Sequence, residues 1–139
     1  MRTRHLTAAL ILAILAGCDG PPNPKPGPAT PHNGSLVALP DGLGFVEILK
    51  EADPARRGQS KVVAYFLDPS KNPLAAVTTV SLKSQASGGK AVDFKPAGDA
   101  GPAKAGAMIS SSFSDRGEVE GDLTATIGGK PITVPINVR

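Results

Sequence analysis

The chain has 139 residues, 40% of them hydrophobic and 19% charged, with a formal charge of +3. That apolar fraction supplies one modest core, which fits one domain better than several. One tyrosine, no tryptophan and no clustered basic face exclude a nucleic-acid partner, which calls for stacking platforms and a basic stripe. A single cysteine, Cys18, excludes an intramolecular disulfide.

The first segment reads as an export signal. Arg2, Arg4 and His5 form a positive flank, and Leu6 to Ala16 is apolar apart from Thr7. A run of about eleven residues is too short to cross a hydrocarbon core, which takes about 20 helical residues. A charged flank, a short apolar stretch and small residues before a cut are the layout of a cleaved secretory signal. Leu15-Ala16-Gly17-Cys18 resembles the lipobox of bacterial lipoprotein signal peptides. The resemblance implies diacylglyceryl transfer to Cys18, cleavage before it and acylation of the new N-terminus. The alternative is an ordinary signal cut near Gly17 that leaves a free thiol. Two or three acyl chains hold a protein firmly at a membrane, where one gives only marginal attachment. The expected location is therefore the cell membrane, anchored by lipid and facing the periplasm or exterior. Asp19 directly after the cysteine resembles an inner-membrane retention signal. Loss of residues 1–17 removes Arg2 and Arg4 from the 15 basic residues that oppose 12 acidic ones, so the remainder is close to neutral.

Residues 18–34 form the next unit, with prolines at 21, 22, 24, 26, 28 and 31. Proline fixes φ and lacks a backbone donor. The segment is expected to be a disordered, extended tether of ~3.1 Å per residue, reaching roughly 40 Å.

Residues 35–139 change to short apolar runs separated by Gly, Pro, Asp and Asn. Strands are expected at Leu36 to Leu39 and Phe45 to Leu49. In the second, Val46 and Ile48 share one face while Phe45, Glu47 and Leu49 share the other. Asp53-Pro54 suggests an N-cap before a single helical turn that Gly58 ends. Lys61 to Leu67 is apolar on both faces and rich in β-formers, as a central strand is. Further strands are expected at Val77 to Lys83, Ala91 to Lys95, Ala107 to Phe113 and Val119 to Ile127. Alternating residues on both sides of Gly128-Gly129 predict a hairpin, because a two-residue primed turn takes the positive φ that glycine supplies. Pro135 cannot donate to a ladder, which places its strand at an edge. Seven or eight short strands predict an all-β fold, an antiparallel immunoglobulin-like β-sandwich. Its core draws on Phe45, Phe66, Phe94 and Phe113 with the aliphatic residues.

Catalytic signals are sparse. His32 is the one histidine after the signal, and it lies where tether meets domain, an unfavourable place for the base of a hydrolytic triad. No nucleophile elbow, phosphate loop or zinc-protease motif occurs. Ser110-Ser111-Ser112 is read as plain strand. Asp115, Glu118, Glu120 and Asp122 match no calcium loop and are read as a solvated face that discourages edge pairing. Glu47, inside an apolar strand, faces either a groove or solvent, with solvent preferred.

His32-Asn33-Gly34, Gly44-Phe45-Val46-Glu47, Val63 to Asp68, Asn72-Pro73-Leu74, Phe94 to Asp99 and Ile127 to Pro131 together are similar to small exported bacterial β-sandwich proteins. Many of these open with His-Gly-Gly, and some accompany heavy-metal efflux systems. If their opening histidine binds metal, His32 is the matching position, although Asn33 departs from the pattern. A copper or zinc site here would use His32, Met108 and Glu47. The leading expectation is a lipid-anchored, non-catalytic envelope module acting by interaction or as a structural element, with no cofactor and a possible envelope protein partner. The alternative is a periplasmic metal-binding accessory domain using His32.

Overall fold

The computed structural model describes residues 30–98, 106–114 and 117–139. The signal, Cys18 and most of the proline-rich segment lie outside the described residues, as does Asp115. Among the described residues there are nine strands: β1 (Ser35–Ala38), β2 (Phe45–Ala52), β3 (Gln59–Leu67), β4 (Val77–Ser84), β5 (Ala91–Pro96), β6 (Ala107–Ser110), β7 (Phe113–Ser114), β8 (Val119–Ile127) and β9 (Lys130–Val138). Every pairing is antiparallel.

The strands follow the order β1-β2-β3-β6-β5-β4-β8-β9, with β7 on β3 beyond β6. β5 belongs to both layers. Its first half, Ala91 to Asp93, pairs with β4, and Phe94 to Pro96 pairs with β6. A strand that switches partners in this way turns the corner between two packed sheets. β9 then returns beside β1 and β2, so the layers form a nearly closed, barrel-like whole.

Alternation along the strands builds one core between the layers. Val46 and Ile48 of β2 and Val62, Ala64 and Phe66 of β3 meet Leu82 of β4, Leu123 and Ala125 of β8, and Val134 and Ile136 of β9 from the opposite side. Burying each of the valine, leucine and isoleucine side chains contributes roughly 1.5–3 kcal/mol. Phe66, Phe94 and Phe113 join this core. Phe45 does not: its position in β2 has the parity of Glu47, so it sits half-buried on the outer face.

β3 is central, as expected, and also buries its outer face. Val63, Tyr65 and Leu67 form a second cluster there with Ala107. The hairpin at Gly128-Gly129 is present, with Ile127 opposite Lys130 and φ of 56° and 81° at the two glycines. Glu118, Glu120 and Asp122 are exposed, as alternation predicts. The Asp53 segment is a turn without a regular helix.

Candidate functional site

Glu47 sits in the middle of β2, opposite Leu36 on β1 and Tyr65 on β3. Its parity directs it outwards, yet it is fully buried, at 0% exposure. The preference for solvent is thereby overturned. The cause is the chain just before β1, which folds back over the strand. Oε1 accepts the backbone N–H of His32 at 2.8 Å and that of Gly34 at 2.7 Å. Oε2 lies 2.9 Å from the His32 Nδ1, and the Thr30 hydroxyl adds a further bond.

Burial alone would raise the Glu47 pKa. The bonds from the Gly34 N–H, the His32 ring and N–H, and Thr30 outweigh it, and hold the carboxyl below its ordinary value. With the carboxylate ionised and accepting, the proton of the His32 ring lies on Nδ1.

Each residue of this segment has a local reason. Asn33 has φ of 64°, in the left-handed region that asparagine tolerates better than most residues. Glycine takes it freely, so the departure from a His-Gly-Gly opening is conformationally mild. Gly34 is required for close approach. A Cβ there would lie 2.7 Å from the Ile48 carbonyl oxygen and 2.7 Å from Leu49 Cδ1. His32 itself lies flat on Tyr65, with ring centroids 3.6 Å apart and planes within 7°. Its side chain is 30% exposed. The histidine expected in a trailing tether is thus fixed at both ring face and ring edge, and the folded unit reaches back to Thr30.

Of the three residues offered for a metal, the structure brings His32 and Glu47 together and separates Met108. Met108 pairs with Ala64, so it shares that residue's inward face and lies in the core. Glu47 in turn has both oxygens taken by donors of the chain, which makes it an orienting group for His32. Only the ring Nε2 remains for a ligand. Among the described residues no group of three or more His, Cys, Asp or Glu side chains could hold a metal ion.

A second polar cluster escaped the sequence reading. Asp53, 5% exposed, accepts the Ser112 hydroxyl on Oδ2. Its Oδ1 accepts the Ala55 N–H at 3.0 Å and the Lys61 ammonium at 3.2 Å. The Ser112 bond is the main cause, with Ala55 and Lys61, of a pKa held below the usual carboxylate range despite burial. Ser110 has a different task. β3 pairs with β6 only over Val63 to Tyr65 and with β7 over Gln59 and Ser60. In the gap between them, the Val62 N–H donates to the Ser110 Oγ at 2.8 Å. The Asp53-Pro54 cap signal was the one available sign of this cluster, and it reported only the Ala55 bond. His32 bonds to Glu47 and Ser112 bonds to Asp53, so the one imidazole of the described residues orients no serine. No protein-family model, curated protein or solved structure matches the chain.

Proposed function

We propose that this protein is a lipid-anchored, non-catalytic module of the cell envelope, acting by interaction or as a structural element. The lipobox-like Leu15-Ala16-Gly17-Cys18 supports attachment through lipidated Cys18, with the domain facing the periplasm or exterior. Asp19 favours the inner membrane. The observation that carries the reading is the Glu47 receptor. A buried carboxylate gathers Thr30, His32 and Gly34, the residues at which the proline-rich segment enters the domain. A segment that merely trailed from the fold would need no such mooring. Among the described residues both buried carboxylates, Glu47 and Asp53, are consumed by donors of their own chain, which supports a structural use for each.

Labelling of the full chain with a radioactive fatty acid, with membrane fractionation, tests the anchor. Label and membrane association are expected in the parent and lost in Cys18→Ser. A variant that stays labelled and membrane-bound overturns the reading.

A second reading, copper or zinc handling, keeps one supporting observation. A metal-binding imidazole commonly gives its other ring nitrogen to a carboxylate, as His32 gives Nδ1 to Glu47. It predicts stoichiometric metal in the purified protein that His32→Ala removes.

A further inference from the structure

A groove of about 450 Å³ opens where the turn between β2 and β3 meets β3, β5 and β6. Its size falls within the range of small-molecule sites. Three cations reach it from three elements: Arg56 from the turn, Lys61 from β3 and Lys95 from β5. Convergence of like charges is unfavourable, and of the three only Lys61 is in an ion pair, with Asp53 at 3.2 Å. Arg56 and Lys95 are exposed, and neither side chain forms an ion pair with another described residue.

The groove also offers uncharged partners. Ser111 is exposed at its edge, in contrast to the committed hydroxyls of Ser110 and Ser112. Pro96, Ala97 and Ile109 supply apolar lining. Asp93, on the same strand face as Lys95, is the one carboxylate of the groove that is exposed. Asp53 is buried and its acceptors are filled, so it places Lys61 without repelling a visiting anion directly.

We propose that this groove binds a small hydroxylated oxyanion, a sugar acid or a sugar phosphate. Arg56 and Lys95 take the anionic group, the former through the planar fork that suits carboxylate and phosphate. Ser111 and Asp93 take ligand hydroxyls, and the apolar lining meets a C–H face of the ring. The site is separate from the Glu47 mooring and does not depend on lipidation.

Calorimetric titration of the full chain in neutral detergent, with glucuronate, glucose 6-phosphate and glucose, tests the assignment. Saturable one-to-one binding of at least one anionic sugar is expected, with no binding of glucose. The pair of anions distinguishes carboxylate from phosphate recognition. The double variant Arg56→Gln/Lys95→Gln should weaken binding by at least about tenfold, while its circular dichroism stays that of the parent. Both side chains are exposed, so the fold does not depend on them. No binding of either anion, equal binding of glucose, or an unweakened double variant overturns the proposal.

Discussion

The His32 ring lies parallel to the Tyr65 ring, 3.6 Å from centroid to centroid, while its Nδ1 stands 2.9 Å from Glu47 Oε2. Tyr65 and Glu47 are cross-strand partners on β3 and β2. A single register therefore sets both the platform under the imidazole and the acceptor at its edge. Residues 30–34 are held to the sheet by chemistry in the sheet itself.

Glu47→Ala should be among the most damaging single changes. It removes the acceptor for two backbone N–H groups, those of the half-buried His32 and Gly34. Bonds to a charged group contribute about 1.5–3 kcal/mol each, and an orphaned buried donor adds its own penalty. A loss of roughly 3 kcal/mol in unfolding free energy is expected. Glu47→Gln, which keeps one acceptor oxygen, should lose about half as much. Urea unfolding of parent and variants measures both, and a change below ~0.5 kcal/mol for the alanine variant would count against the mooring.

His32 contributes through its ring face and its ring nitrogen, and two substitutions separate them. His32→Phe keeps a stack on Tyr65, a contact of about 0.5–1.5 kcal/mol between aromatic rings. His32→Ala removes the stack and the Nδ1 bond together. The alanine variant should be the less stable of the two in the same denaturation experiment. Equal stability of parent and both variants would return His32 to a trailing segment.

Acid should unfold the protein through the two buried carboxylates of the described residues. The pKa values of Glu47 and Asp53 are lowered in the fold. Their stabilisation is therefore complete above the unfolded-state values, about 4. It is lost as pH falls through the folded-state values. Unfolding midpoints should be flat in this respect near neutrality and fall in the acid range. Glu47→Gln and Asp53→Asn should each flatten part of that fall, and an unchanged profile in both would contradict the assignment.

The side of β9 turned away from β8 has no ladder partner among the described strands and carries protection against unwanted pairing. Counting from the Ile127–Lys130 pair at the turn, alternate residues 131, 133, 135 and 137 direct their backbone polar groups away from β8. Two of these are Pro131 and Pro135, which have no N–H to offer. The double variant Pro131→Thr/Pro135→Thr supplies two more outward donors and should self-associate more than the parent in sedimentation velocity. Identical sedimentation would show that these prolines have no such role.

Much of the fold was legible because strand parity and turn chemistry are local. Gly128-Gly129 and the alternation on either side suffice for the hairpin, and the apolar run of β3 marks a strand buried on both faces. Parity also separates Met108 from Glu47 once Ala64 is known to stand opposite Met108, but pairing partners are not written in one strand. The burial of Glu47 was not legible for a related reason. Alternation placed it outwards, and nothing local shows that residues 15 positions earlier fold back to cover it. Prolines up to Pro31 suggested a tether ending at residue 34, whereas the requirement for Gly34 arises from the Ile48 carbonyl and Leu49 side chain across the sheet. Ser112 and Asp53 are 59 residues apart, and their meeting depends on the short β7 lying beside the start of β3.

The most direct test of the mooring is amide hydrogen exchange of the unmodified full chain, read at His32 and Gly34. Both amides donate to a carboxylate with 0% exposure, so their exchange should be slowed to an extent comparable with amides of β2. Exchange at the rate of an unstructured chain would show that residues 30–34 are not held by Glu47.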